Sequence, residues 1–281
     1  MKILQDSFTL SNGVRIPKIG FGTWQIPDGE DTYCAVSFAL ANGYRHIDTA
    51  HAYANEASVG RAVRDSGIPS KEIFVTSKLP AEIKGYDETL ASFEATMNEL
   101  QLEYLDLYLI HAPWPWDQMG ENYSSQNKTV WRAFETIYSS GRVRAIGVSN
   151  FEVADLAAIL DGCEIKPMIN QIKFFIGNTQ DEIVDFCREN DIQVEGFSPL
   201  ATGVILDNAD IVNMANRYGK SVSEICIRYV VQKGVVALPK SIQHARILQN
   251  ADVDFDISGE DMAYLEGLTN TVSVHYGPSK K

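Results

Sequence analysis

Hydrophobic residues recur along the chain in short runs, and most runs are followed by a stretch with helical spacing. Eight runs are rich in β-branched and aliphatic residues and lack strict alternation: KIGFGT, HIDTA, FVTSKL, LDLYLIH, VRAIGVSN, PMINQI, QVEGFSPL and VVALPK. Strands buried on both faces of a parallel sheet show this pattern. The pattern therefore predicts eight parallel strands that alternate with helices.

The segments between the runs carry signals for helices and for their ends. One face of a predicted helix carries Leu90, Phe93, Met97 and Leu100. Asp87 precedes this face and is its expected N-cap, and Ser221 with Glu224 forms a capping-box pattern ahead of a later apolar face. Because glycine favours the backbone conformation that ends a helix, helices are expected to stop at Gly43, Gly141 and Gly234.

Two short apolar–polar runs flank Asn12-Gly13, which is a strong signal for a β-hairpin near the N-terminus. Eight strand–helix units after this hairpin predict a (β/α)8 barrel. No linker or shift in composition divides the chain, so residues 1–281 are expected to form a single domain. A doubly wound open sheet is the alternative, but GFGTW followed by QIPDGED is a poor match to the glycine-rich phosphate loop which that fold needs.

The composition is that of an ordinary globular protein, with 281 residues of which 45% are hydrophobic and 22% charged. No apolar run approaches the roughly 18 residues that span a bilayer, and MKILQDSFTL lacks the features of a signal peptide. The four cysteines are scattered, which indicates free thiols rather than a disulfide framework or a zinc knuckle. These features predict a cytoplasmic protein, and we expect a monomer.

The formal net charge of the chain is −13. Nucleic acids and anionic membranes bind basic surfaces, so neither is an expected partner. A small-molecule ligand is expected instead. If that ligand is an anion, a few local cations must overcome the unfavourable overall charge.

Polar residues stand where several predicted strands end: Asp48, Lys78, His111, Ser149, Asn150, Gln171 and Lys240. Catalytic groups of (β/α)8 barrels lie at these C-terminal strand ends, whereas Asp106 begins its strand and is expected to be structural. Taken singly, each residue has an ordinary explanation, such as a capping aspartate or a lysine whose stem snorkels to solvent. Together, an acid, a base and an imidazole from consecutive strands would meet at one mouth beside Tyr53, where unpaired charges are costly. The sequence predicts an active site there.

Three segments resemble the signatures of the aldo-keto reductases and occur in the family's order: GYRHIDTAHAYANEASVG (43–60), RAIGVSNF (144–151) and LPKSIQHARILQN (238–250). The resemblance covers essentially the whole chain. It is nearest to the bacterial branch that includes diketogluconate reductases and broad aldehyde reductases. It implies an NADPH-dependent oxidoreductase that reduces a small carbonyl compound, an aldehyde or some ketones, to an alcohol.

The resemblance also implies a catalytic tetrad of Asp48, Tyr53, Lys78 and His111. Tyr53 would be the general acid that protonates the carbonyl oxygen. Because tyrosine ordinarily has a pKa of about 10, Lys78 would lower that pKa, and Asp48 would hold Lys78 and keep it protonated. His111 would orient the carbonyl group and donate a hydrogen bond to the developing oxyanion.

For the cofactor NADPH, the resemblance assigns Ser149, Asn150 and Gln171 to the nicotinamide carboxamide. Phe197 would stack on the nicotinamide ring, where the family frequently has tyrosine. Further cofactor contacts are implied for Gly22, Thr23, Ser198 and Leu200, with Lys240, Ser241 and Arg246 at the 2′-phosphate and Gln249 and Asn250 near the adenine. Lysine, serine and arginine offer a phosphate a point charge, a hydroxyl donor and a planar fork.

The predicted substrate pocket departs from the family pattern. Trp24 matches a tryptophan that lines the family's pocket. After His111, however, the chain continues Ala112-Pro113-Trp114, whereas a tryptophan often follows the histidine directly in the family. The missing ring at Ala112 should widen one wall of the pocket unless Trp114 folds back over it.

Two other interpretations are open at this point. A metal-dependent hydrolase could use His46, His51 and His111, although their spacing is unlike the H-x-H of such barrels and no further carboxylate set ends the strands, so no bound metal is expected. A regulatory protein could bind the cofactor on the same fold with little turnover. The complete tetrad argues against that second alternative.

Overall fold

The protein begins with the predicted β-hairpin, in a computed structural model that describes residues 1–272. Strands β1 (Ser7–Thr9) and β2 (Arg15–Pro17) pair antiparallel. The turn between them places Gly13 at a φ of 86°, a left-handed conformation that glycine adopts without steric cost. The hairpin prediction is confirmed.

Eight parallel strands follow the hairpin and form one sheet: β3 (Phe21–Gly22), β4 (His46–Asp48), β5 (Phe74–Leu79), β6 (Leu105–Ile110), β7 (Val143–Ser149), β8 (Ile169–Lys173), β9 (Gln193–Phe197) and β10 (Val236–Leu238). Each strand pairs with its sequence neighbour. A parallel bridge joins Ile19 to Ala237, and the backbone N–H of Gly20 donates to Ala237 at 2.9 Å. The first and last strands therefore meet, which confirms the predicted (β/α)8 barrel and rejects the open sheet.

Helices lie between the strands: α1 (Glu30–Ala41), α2 (Glu56–Asp65), α3 (Tyr86–Leu100), α4 (Ser124–Ser139), α5 (Val153–Leu160), α6 (Asp181–Glu189), α7 (Ala209–Tyr218), α8 (Val222–Gln232), α9 (His244–Gln249) and α10 (Gly259–Glu266). Short 3-10 helices cover Lys2–Gln5, His51–Tyr53, Ser70–Glu72, Trp116–Gln118 and Ala201–Asp207. In residues 1–272, none of these helices has the length and apolar character that a membrane crossing requires.

Most of the predicted helix ends are present in the structure. Ser221 and Glu224 form the capping box of α8, and helices end just before Gly43, Gly141 and Gly234. The prediction for Asp87 was wrong, because α3 starts at Tyr86 with Gly85 at the N-cap, two residues earlier than predicted. Asp87 instead lies in the first helical turn, where a negative charge is favourable beside the helix N-terminus.

The parallel register brings the C-terminal ends of neighbouring strands to one mouth of the barrel. Asp48, the last residue of β4, pairs with Gly22 of β3 and Thr76 of β5. Asp106 lies near the opposite end, where its carboxylate accepts the Val75 N–H at 2.9 Å and pairs with Arg144 at 2.6 Å. Its contacts tie three adjacent strands together, as expected for a structural residue.

Candidate active site

A buried ion pair occupies the mouth of the barrel. The Lys78 ammonium donates to both carboxylate oxygens of Asp48, at 2.8 and 2.9 Å, and to the carbonyl oxygen of Thr49 at 2.8 Å. Burial alone would lower the pKa of Lys78, but Asp48 and Tyr53 raise it by more, and the net shift is upward. Lys78 therefore keeps its charge although its side chain has no exposure to solvent.

Tyr53 contacts this ion pair from the loop that follows β4. It is the last residue of the 3-10 helix His51–Tyr53, and its hydroxyl oxygen lies 3.3 Å from the Lys78 ammonium. Burial raises the pKa of Tyr53 above its ordinary value, and Lys78 opposes that increase without overcoming it. Lys78 therefore lowers the pKa of Tyr53 as expected, but burial has the larger effect and the net shift is upward. A raised pKa keeps the phenol protonated at neutral pH.

His111 lies on the other side of Tyr53, with the two rings edge to face and their centroids 5.6 Å apart. The backbone carbonyl of His111 accepts a hydrogen bond from the Asn150 amide at 2.9 Å, which fixes the end of β6 against the end of β7. Burial, with a contribution from Lys78, lowers the pKa of His111 to about 3. The imidazole is therefore neutral, so it has one nitrogen that donates a hydrogen bond and one that accepts.

The structure thus brings together the four side chains that the sequence singled out. They form a chain of contacts from Asp48 to Lys78 to Tyr53, with His111 beside Tyr53. A protonated phenol and a neutral imidazole can donate hydrogen bonds to one oxygen atom, while the lysine stabilises negative charge on the phenol oxygen. This arrangement is suited to proton transfer at a carbonyl group.

The residues assigned to the nicotinamide line the ends of the next strands. Ser149 ends β7, and its hydroxyl accepts from the Asn150 amide at 3.0 Å. Gln171 lies in β8, and its amide nitrogen donates to Asp48 at 2.8 Å, which joins this group to the ion pair. Phe197 ends β9 and is half-buried. On the neighbouring side, Thr23 donates its hydroxyl to the Asp48 carbonyl at 3.0 Å.

Three further residues assigned to the cofactor lie around the same mouth: Gly22, Ser198 and Leu200. The N–H of Gly22 donates to the Pro239 carbonyl at 3.1 Å, beside Lys240. Ser198 directly follows β9 and has a φ of 53°, so the chain turns sharply at the strand end. Leu200 is half-buried next to the 3-10 helix Ala201–Asp207.

A second group of residues assigned to the cofactor follows β10. Ser241 is buried, and its hydroxyl accepts the backbone N–H of Gln243 at 3.0 Å. Lys240, Arg246 and Gln249 are exposed, whereas Asn250 is buried at the end of α9. Within the described part of the chain, neither Lys240 nor Arg246 takes part in an ion pair, although the protein has an excess of acids. Two unpaired cations and a hydroxyl provide the donors that a phosphate group requires.

Two tryptophans of the loop after β6 lie near His111, and Trp24 is the third tryptophan assigned to the substrate pocket. Trp24 is 46% exposed, and Trp114 is half-buried with its ring edge-on to Trp116 at 5.4 Å. Trp116 itself lies edge to face against His111, also at 5.4 Å. The sequence interpretation considered Trp114 and missed Trp116. The only signal was the Trp114-Pro115-Trp116 spacing, which does not reveal which ring turns toward His111.

Ala112 is fully buried, and its carbonyl oxygen accepts a hydrogen bond from Lys84 at 3.0 Å. Lys84 also donates to Asn127 at 3.1 Å, and Asn127 in turn donates to the Pro113 carbonyl. Burial lowers the pKa of Lys84 to about 8. These contacts fasten the backbone that carries both tryptophans of this loop.

The three histidines of the hydrolase alternative have separate partners. His46 contacts Thr76 at 3.1 Å inside the barrel, and His51 pairs with Glu56 at 3.0 Å. His111 contacts Tyr53 and Trp116. In residues 1–272, no group of three or more His, Cys, Asp or Glu side chains is arranged to hold a metal ion.

Glu195 is a second residue that the sequence interpretation missed. It lies in β9, is fully buried, and accepts a hydrogen bond from the Gln171 amide at 2.7 Å. Its signal in the sequence was a single acid within the apolar run QVEGF.

Comparison with known proteins agrees with this geometry. Residues 18–270 match the sequence profile of the Aldo/keto reductase family. A glyoxal reductase of Bacillus subtilis (strain 168) is 44% identical over 278 residues, which cover 99% of this chain and 98% of the relative. An aldo-keto reductase from a Medee basin deep-sea metagenome library has a TM-score of 0.89 at 39% identity, covering 95% of this chain and 97% of that one. A Bombyx mori aldo-keto reductase in complex with NADP has a TM-score of 0.85 at 31% identity, covering 95% and 93%.

The family match and the reductases among the relatives show that this (β/α)8 barrel is an oxidoreductase. The chain belongs to the aldo/keto reductase family. The resemblance of its three signature segments is thereby confirmed.

Proposed function

We propose that the protein reduces aldehydes, and some ketones, to alcohols, with NADPH as the reductant. The observation that carries this proposal is the position of the Tyr53 hydroxyl. It lies 3.3 Å from the Lys78 ammonium, which Asp48 holds in place, and the Tyr53 ring contacts the neutral imidazole of His111. The alternative of a regulatory protein with little turnover does not require such a proton-transfer group.

Each residue of the site has a defined task in this reaction. Bound NADPH supplies the hydride. Tyr53 donates its proton to the carbonyl oxygen and later recovers a proton from solvent, while the Lys78 ammonium stabilises the tyrosinate in between. His111 donates a hydrogen bond from its ring N–H to the same oxygen and so orients the carbonyl group. Asp48 keeps Lys78 charged and in place.

The residues present fit the proposed cofactor. Lys240, Ser241 and Arg246 follow β10, and neither cation takes part in an ion pair among the described residues, which suits a 2′-phosphate. Gln171 and Ser149 offer polar groups to a carboxamide. The Bombyx mori relative is solved in complex with NADP. The 2′-phosphate group is what distinguishes NADP(H) from NAD(H), so these cations argue for the phosphorylated form.

The decisive experiment follows NADPH absorbance with a panel of aldehydes and ketones. Glyoxal heads the panel, because the Bacillus subtilis relative is a glyoxal reductase. We expect turnover that depends on Tyr53. Tight NADPH binding without oxidation by any member of the panel would reject the reductase and favour the regulatory alternative.

We also propose that the protein works as a cytoplasmic monomer on a small carbonyl compound, without nucleic acid. Support comes from the net charge of −13 and from four cysteines that are free, of which Cys187 and Cys226 are buried. Light scattering coupled to size-exclusion chromatography tests the monomer, and a higher mass would contradict it.

A further inference from the structure

The Gln171 side chain lies between two acidic groups inside the barrel. Its Nε2 atom donates to Asp48 Oδ2 at 2.8 Å and to Glu195 Oε2 at 2.7 Å. A primary amide nitrogen has two hydrogens, so these two bonds use both of them. Both Asp48 oxygens accept hydrogen bonds from Lys78, so Asp48 faces the amide as an acceptor and the orientation of the amide is fixed. Its oxygen, Oε1, is the atom left to receive a donor from a ligand.

The environment of Glu195 favours a neutral carboxylic acid. The side chain has no exposure, and the nearby Lys78 is already paired with Asp48 and Tyr53. Glu195 Oε1 has no hydrogen-bond partner among the described residues and lies 3.6 Å from His46 Nε2, which contacts Thr76 at 3.1 Å. Burial and the Asp48 charge raise the pKa of Glu195 to about 8.

His46, which faces Glu195 from β4, is neutral as well. Burial, with a contribution from Lys78, lowers the pKa of His46 to about 3. A neutral acid therefore faces a neutral imidazole on one side and the Gln171 amide on the other. An ionised Glu195 would instead place a second carboxylate on the amide that Asp48 already occupies.

We propose that Glu195 is a positioning residue of the cofactor site. This buried acid and Asp48 together hold the Gln171 amide so that its Oε1 accepts a hydrogen bond from the nicotinamide carboxamide. The proposal rests on the proposed use of NADPH. Glu195 acts only through Gln171. Removal of its acceptor leaves one Nε2 hydrogen unpaired in a buried site and frees the amide to rotate.

The experiment compares Glu195→Gln with Glu195→Met at pH 7. The glutamine side chain has the same length as glutamate and keeps an acceptor oxygen. The methionine side chain has a similar length but no comparable acceptor. Calorimetric titration measures the Kd of NADPH and, separately, the Kd of 2′,5′-ADP, which carries the adenosine and the 2′-phosphate but no nicotinamide. We expect Glu195→Met to weaken NADPH binding by about 3- to 10-fold, the size of one lost hydrogen bond, and to leave 2′,5′-ADP within twofold.

The conservative variant Glu195→Gln should restore NADPH affinity to within about twofold of the wild type. Equal losses for NADPH and 2′,5′-ADP would show general damage to the fold and overturn the proposal. A glutamine variant as weak as the methionine variant would also overturn it, because the charge of Glu195 would then be what matters. If the methionine variant fails to fold, the glutamine variant is compared with the wild type alone, and a loss of NADPH affinity of more than about twofold would overturn the proposal.

A double-mutant cycle tests the route through Gln171. In a Gln171→Met background, Glu195→Met should change the Kd of NADPH by less than about twofold, because the amide that it positions is gone. If the double variant instead shows the product of the two single-variant losses in NADPH affinity, Glu195 does not act through Gln171. A wild-type protein that binds no NADPH would refute the proposed function itself, whereas normal binding with an unaffected Glu195→Met variant refutes only the role of Glu195.

Discussion

The ring of Trp116 stands edge to face against the imidazole of His111, at a centroid distance of 5.4 Å and an interplanar angle of 87°. Trp116 is also 40% exposed, so one part of the ring contacts the proposed catalytic histidine and another part faces solvent. A substrate whose carbonyl oxygen reaches His111 therefore passes beside an aromatic surface. Flat, apolar carbonyl compounds gain contact there that small polar aldehydes do not.

Trp116→Ala should selectively impair large aromatic aldehydes. We expect kcat/KM to fall by about tenfold or more for an aromatic aldehyde and by less than about threefold for glyoxal, since the smaller compound loses little contact area. Steady-state kinetics with both substrates measures the ratio. Met119→Ala, at an exposed residue of the same loop, serves as the control and should leave the ratio unchanged. Equal losses for both substrates would contradict a role in selectivity.

Ala112→Trp should lower activity on every carbonyl compound and destabilise the fold by about 1–3 kcal/mol, because the new ring enters a site with no exposed surface. Chemical denaturation and kinetics on small and large substrates measure the two effects. Selective exclusion of large substrates with an unchanged free energy of unfolding would show that the pocket is open beside Ala112.

Tyr53→Phe should remove carbonyl reduction and leave NADPH affinity nearly unchanged, because the hydroxyl is assigned to the substrate oxygen. General acid catalysis contributes about 10²–10⁴-fold, and the rate of a single turnover reports it without interference from product release. Tyr264→Phe removes an exposed hydroxyl that donates to Asp210 and contacts none of the four proposed catalytic residues, so it is the matched control. A Tyr53→Phe variant that retains more than about a tenth of the single-turnover rate would reject Tyr53 as the general acid.

Arg246→Ala should weaken NADPH binding by about ten- to a hundredfold and leave NADH binding almost untouched, since NADH lacks the 2′-phosphate. Fluorescence titration with each cofactor gives the two dissociation constants. Arg188→Ala removes an exposed arginine that pairs with Asp185 on α6, and it controls for the change in net charge. Comparable losses for both cofactors would indicate a structural role for Arg246.

The stability of the protein should depend on pH through Glu195. Its pKa rises from 4.5 to about 8 on folding, so the unfolded chain releases this proton at lower pH than the folded protein does. The contribution of the protonated acid to stability is complete below pH 4.5 and is lost as pH rises toward about 8. Glu195→Gln cannot titrate. We expect its free energy of unfolding, relative to that of the wild type, to increase by about 1.4 kcal/mol per pH unit between these limits.

Denaturant titrations of both proteins at several pH values between 5 and 8 measure this difference. A difference that does not vary with pH would mean that Glu195 is already ionised in the folded protein and would remove the neutral acid from the interpretation.

The eight strands could be predicted from the sequence because their runs of apolar residues are short, regular and separated by helical patterns. The ends of the strands could be predicted from the same runs. Asp48, Lys78 and His111 could therefore be placed at one mouth of the barrel, because parallel strands all end on the same side. Trp116 could not be placed, because the loop after β6 has no periodicity that fixes which ring turns inward. Glu195 was missed because one acid in an apolar run gives no indication of its partners, which come from β4 and β8.

The net direction of the Tyr53 pKa shift also could not be predicted from the sequence. The presence of Lys78 near the tyrosine was expected, but the competing effect of burial depends on how the surrounding loops cover the hydroxyl. The start of α3 was misplaced for a local reason. Asp87 is a favourable residue both at an N-cap and in the first turn, so its identity alone does not distinguish the two positions.

The bridge between Ile19 and Ala237 has a consequence for how the protein forms during synthesis. The first strand leaves the ribosome early, but its lateral partner is among the last strands to be made, so the nascent chain carries an unpaired sheet edge for most of its translation. Lys240 and Arg246, the cations that are proposed to bind the cofactor phosphate, emerge later still. Closure of the barrel and binding of the cofactor therefore both require the segment from Val236 onward to be synthesised. Nascent chains halted before Val236 should bind neither NADPH nor 2′,5′-ADP in a pull-down from stalled ribosomes.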